Sequence, residues 1–124
     1  MIVAEEFYSL DMHDAAGRPV LPRHWKPTTD DIYCLLQFDV RDSKADAGSM
    51  FSVMVATPSA LVQHAENSIL SGRGVIVIQT YYFDEIENYI QEVSESCFVP
   101  GNDEKTAAKL MRHFFWEYED MNGS

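Results

Sequence analysis

A chain of 124 residues with 20 acidic and 9 basic side chains carries a formal charge of -11, and at this length one domain buries roughly two-thirds of the surface that its unfolded form exposes. That charge argues against nucleic acid as a partner, because affinity for phosphates depends on Lys and Arg displacing counterions. It favours a basic protein instead, whose association a complementary field accelerates by roughly 10 to 1,000-fold at low salt.

Ile2 to Tyr8 suits a first strand, with Ile2 and Ala4 on one side and Val3 and Phe7 on the other. Asp11 to Asp31 then holds Gly17, Pro19, Pro22 and Pro27, too many breakers for a helix or a central strand. A long loop is expected there, of a kind that is usually functional or mobile. Its apolar residues Val20, Leu21 and Trp25 either lie across the body of the fold or, for Trp25, face a partner. Ile32 to Val40 alternates cleanly, setting Ile32, Cys34, Leu36, Phe38 and Val40 against Tyr33, Leu35, Gln37 and Asp39. After the polar connector Asp42 to Ser49, Met50 to Thr57 resumes the strand pattern, and the pair predicts an antiparallel hairpin.

Thr57 or Ser59 can cap a first helix over Pro58 to about Leu70, with Leu61, Val62, Ala65 and Ile69 as its apolar side. Gly72 and Gly74 close it. Val75 to Ile78, short, β-branched and apolar, reads as a strand covered on both faces. It runs straight into an amphipathic helix ending near Cys97. At 100° per residue, Tyr89, Ile90, Val93 and Cys97 fall within about 60° of Ile86, while Asp84, Glu85, Glu87, Glu92 and Glu95 fall on the opposite side. No Lys or Arg occurs between Gly74 and Asn102, so the helix supplies these carboxylates with no partner. Pro100 and Gly101 break the chain before Asp103, the expected N-cap of a third helix with Ala107, Leu110, Met111 and Phe114 on one face. A short terminal strand is predicted from Phe115, placing Phe114, Trp116 and Tyr118 together and Glu117 with Glu119 opposite.

Little here points to catalysis. His13, His24, His64 and His113 are scattered singly, without the grouping a metal needs. Two cysteines, Cys34 in an apolar run and Cys97 on the packing side of a helix, are too few for a disulfide framework and read as reduced core thiols. There is no Gly-x-Ser-x-Gly, and Gly72-Arg73-Gly74 precedes a strand rather than a helix, so it forms no phosphate-binding helix start. The alternative enzyme reading is a hydrolase using His13 or His24 with Asp30 or Asp31; an adaptor module is the other alternative. With no basic leader and no run of about 18 apolar residues, no membrane span and a cytoplasmic location are expected.

Ile32 to Val40, Phe51-Ser-Val-Met-Val-Ala-Thr-Pro-Ser-Ala-Leu61, Val75-Ile-Val-Ile-Gln-Thr-Tyr-Tyr-Phe-Asp-Glu-Ile86, Glu95-Ser-Cys97 and Trp116-Glu-Tyr-Glu-Asp120 together resemble the immunity protein 8 family of bacterial polymorphic-toxin and contact-dependent inhibition systems. That resemblance implies a non-catalytic inhibitor without a cofactor, which binds a cognate toxin C-terminal domain and blocks its active site or substrate entrance. A basic, nuclease-type toxin would suit the charge. Asp84, Glu85, Glu87, Glu92 and Glu95 are the first candidate for the toxin-facing surface. Glu117, Glu119 and Asp120 are a second, and Trp25 with its loop a third. The fold expected over residues 1–124 is one α+β domain: an antiparallel or mixed sheet of about five strands, with three helices packed mainly on one face. A monomer or weak homodimer is expected.

Overall fold

The alternating stretch that begins at Ile32 supplies the centre of the sheet. In the computed structural model, which describes residues 1–45, 48–64 and 74–117, β2 (Tyr33–Asp42) pairs with β3 (Ser49–Ala56) as an antiparallel hairpin that sets Leu36 against Val53 and Phe38 against Phe51. β1 (Ile2–Tyr8) lies antiparallel on the outer side of β2. Two short strands share the far side of β3. β4 (Val75–Val77) runs parallel to Met54–Ala56, and β5 (Phe115–Trp116) runs antiparallel to Phe51 and Ser52. The result is a mixed five-stranded sheet in an α+β fold, with strand order β1-β2-β3-β4 and β5 against β3.

Period two puts Leu36, Phe38, Val40, Phe51, Val53 and Val55 on one face of that sheet, where they are buried. α2 (Phe83–Cys97) and α3 (Asp103–Leu110) cover this face, α2 contributing Phe83, Ile86 and Ile90 and α3 contributing Leu110. Phe114, in the turn after α3, closes the core, its ring edge-on to Phe38 at 5.1 Å. α1 (Pro58–His64) departs from the end of β3, and the ring of His64 stacks at 4.0 Å on Tyr33, which projects from the opposite face.

Local chemistry shifts several expected details. The period of β1 groups Phe7 with Val3, yet Phe7 is buried with Ile2 and Ala4. Glu6 takes a φ of 57° and the register slips between Glu5 and Tyr8, so a bulge inserts one residue and turns Phe7 back to the core. Asn102 rather than Asp103 caps α3, its side-chain oxygen accepting the N–H of Lys105 at 3.0 Å. In α1 the inward residue is Ala60; Val62 is exposed, and Ala65 and Ile69 lie outside the described residues. Thr57 is buried because its hydroxyl oxygen accepts the N–H of Ile32.

The proline-rich stretch between β1 and β2 is not structureless. Met12, Ile32 and Cys34 form a second small core with Val20, Trp25 and Tyr81 against it. Asp14 accepts the N–H groups of Ala16 and Arg18 across a turn at Gly17, and Pro22–His24 makes one turn of 3₁₀ helix. Both cysteines are buried and unbridged. Burial, with Asp11 nearby, pushes the Cys34 thiol up to about 11, so it stays protonated at neutral pH.

Candidate functional site

Val75 to Cys97 is where the sheet meets solvent. Expected to be covered on both faces, β4 is instead an edge strand, and Val77 is 57% exposed. Its apolar sequence is explained on one side only, by Ile76, which packs on the core. The carbonyl of Gly74 accepts from Met54 N–H at 2.7 Å and the N–H of Ile78 donates to Ala56 at 2.9 Å. In a parallel ladder alternate residues face the neighbour, so positions 74, 76 and 78 face β3 while the backbone groups of Val75 and Val77 point outward.

A groove of about 550 Å³ runs along this edge and the residues that follow it, and no β3 residue lines it. Its other wall is α2, with Tyr82 at the N-cap and Glu85, Ile86 and Tyr89 on the helix. Tyr89 was expected to pack. It sits about 60° from Ile86, at the margin of the apolar stripe, and is 49% exposed at the groove, beside a more open Tyr82. Only Tyr89's marginal wheel position signalled this.

The helix carboxylates do not act as one face. Glu85 and Glu92, seven residues apart, lie on the groove side in line with Tyr89; both are exposed, and neither has an ion-pair partner among the described residues. Glu87 points the other way, to Arg23 at 3.3 Å, whose guanidinium also lies over the Phe83 ring. Asp84 and Glu95 are exposed between these two sets, Glu95 accepting from Gln91 at 2.9 Å. Gln91 itself clamps the opposite edge of the sheet, donating to the Ile2 carbonyl and accepting the Ala4 N–H, both at 2.9 Å.

The other sequence candidates fall elsewhere. Glu117 is exposed, but its carboxylate accepts the Met50 N–H at 3.0 Å, which ties it to the sheet end. Glu119 and Asp120 lie outside the described residues. Trp25 is half-buried, edge-on to Tyr81 at 4.9 Å, while the Tyr81 hydroxyl donates to the Pro22 carbonyl. Among the described residues neither His13 nor His24 is hydrogen-bonded to Asp30 or Asp31; Asp31 instead accepts from Ser59. No group of His, Cys, Asp and Glu among them could hold a metal, and no described helix is long and apolar enough to cross a membrane.

The immunity protein 8 family model matches residues 8–121, almost the whole chain and all of the strand-groove-helix unit. The chain belongs to the immunity protein 8 family. Among curated proteins and among solved structures nothing matches. Membership makes this an immunity protein directed against a toxin. In this member of the immunity protein 8 family, the long loop between β1 and β2 falls wholly within the matched region, and it serves the body of the fold by packing Met12, Val20 and Trp25 with Cys34 at the end of the sheet.

Proposed function

We propose that the chain is a non-catalytic inhibitor that binds a basic toxin domain, of the kind that acts on nucleic acid, and covers its active site or substrate entrance with the groove side of α2. One observation carries this reading: Glu85 and Glu92 stand on a single exposed stripe, without ion-pair partners among the described residues, beside a groove walled by two exposed tyrosines. A toxin that cuts a polyanion must present Lys or Arg to it. Carboxylates at helix spacing compete for those cations, and tyrosine rings supply rigid contact area of the type that dominates interface energies. Asp84 and Glu95 extend the same surface toward solvent, whereas Glu87 holds the loop through Arg23. Neutralisation in the cytoplasm would follow, whether the toxin is the cell's own or delivered by a sibling.

The test is co-expression with the C-terminal domain of the protein encoded directly upstream, followed by purification at low and high salt. A stoichiometric complex and restored growth are expected. Glu85→Lys with Glu92→Lys should slow association by about 10-fold at low salt, since rim charges act mainly on the on-rate. Unchanged association kinetics in a folded double variant would move the interface off this helix.

A further inference from the structure

Both edges of the sheet are open to pairing in principle, and they are treated differently. On β1 the side-chain amide of Gln91 bonds the outward Ile2 carbonyl and Ala4 N–H, as a neighbouring strand would, and the bulge at Glu6 twists the rest away. Such devices are how proteins blunt an edge strand. β4 carries none of them. It has no proline and no charged residue, its neighbour on one side is β3, and the N–H and C=O of Val75 and Val77 face the groove. Among the described residues, no hydrogen bond reaches those outward groups.

We propose that this edge receives an extended segment of the toxin as an additional strand, in which residues facing α2 are Lys or Arg and the alternate ones are apolar. It rests on the toxin-inhibitor reading above and names how the partner is held. Three observations set the chemistry of the occupant. Two outward donors and two outward acceptors on Val75 and Val77 favour main chain over a side chain, because one side-chain amide, as Gln91 shows on β1, meets only one of each, whereas a strand repeats both along the edge. Successive residues of an added strand point alternately to the two sheet faces. Those on the face shared with Ile76 meet the α2 wall, where Glu85 has no ion-pair partner among the described residues, so a cation is the complement there. Those on the other face lie beside the exposed side chain of Val77, so apolar residues fit. The helix then covers the backbone of the added strand from one side, keeping water from its ladder.

The experiment uses the full chain and the purified C-terminal domain encoded upstream. Val77→Pro deletes one outward N–H and leaves the ladder to β3 intact, because that ladder uses residues 74, 76 and 78; Val77→Ala keeps the N–H and trims only the side chain. Expected is a loss of at least about 10-fold in affinity for the proline variant, against less than about 3-fold for alanine. In the wild-type complex the amides of Val75 and Val77 should become protected from hydrogen exchange. This second readout holds even where Val77→Pro unfolds. A tight complex in which both amides exchange as in the free protein overturns the added strand while leaving the inhibitor reading intact. No complex at all overturns both. A wild-type homodimer that Val77→Pro dissociates, with toxin leaving these amides unprotected, assigns the edge to a second copy and also overturns it.

Discussion

Gln91 does with one side chain what an extra strand would do for β1. Its two bonds at 2.9 Å cross the gap between α2 and the sheet edge, and removing them leaves the Ala4 N–H, in a partly buried position, without a partner. Gln91→Ala should therefore cost about 1 to 3 kcal/mol in urea unfolding, the range for stranding such a group. Asp39 presents the opposite situation. Burial, followed by the neighbouring charges of Glu6 and Glu5, raises its pKa above the ordinary aspartate range, although Arg41 pulls the other way. The native state then holds the proton to a higher pH than the unfolded chain does, so the fold loses stability as pH climbs through that interval. Asp39→Asn should be more stable than wild type at pH 7 and equal to it near pH 3, where both forms of the chain bind the proton; thermal melts at the two pH values read this directly. Neither Gln91 nor Asp39 stands out in the sequence. A glutamine on a helix and an aspartate on a strand acquire these roles from residues 33 to 89 positions away (Asp39 to Glu6, Gln91 to Ile2), or from a bulge that only the folded register creates.

At the scale of elements, the hairpin, the helix over Phe83–Cys97 and the start of the last strand at Phe115 were all legible, because each rests on a local period that packing then ratified. What local period does not carry is pairing. Val-Ile-Val reads the same whether a strand lies beside it on one side or on both, so the edge position of β4, and with it the groove, appears only once β5 is seen to share β3 with it. The junction where those two short strands meet is narrow. Gly74 has a φ of +77°, gives its N–H to the His113 carbonyl, and a Cβ there would run into the ring of Phe115. Gly74→Ala should destabilise by about 2 to 4 kcal/mol, combining a left-handed backbone penalty of roughly 1 to 2 kcal/mol with displacement of the ring. In a Phe115→Ala background the same substitution should retain only the backbone part. A double-mutant cycle in urea separates the two, and purely additive costs would mean the ring moves aside freely.

Over the whole molecule, a charge of -11 raises the question of whether a basic partner is drawn by the field as a whole or by the carboxylates at one site. The two differ in what charge reversal does. Glu85→Lys with Glu92→Lys shifts the formal charge from -11 to -7, since each reversal adds two, and Asp103→Lys with Glu104→Lys shifts it by the same amount at the first turn of α3. Asp103 lies beside Asp42 and Ser49, at the end of β3 away from the segment that pairs with β4. Were steering a matter of net charge, the two double variants would lose the same amount of on-rate. If the partner's cations pass close to α2, screening separates them, because at 0.15 M salt the Debye length is about 8 Å and distant charges fade first. The α3 variant should then associate nearly as fast as wild type at that salt, while the α2 variant is still slower, by about 3-fold against about 10-fold at low salt, and loses most of its salt dependence. Stopped-flow association from about 0.02 to 0.5 M salt distinguishes the cases, and equal slopes for the two variants would assign the attraction to the field of the whole chain rather than to the helix that lines its open edge.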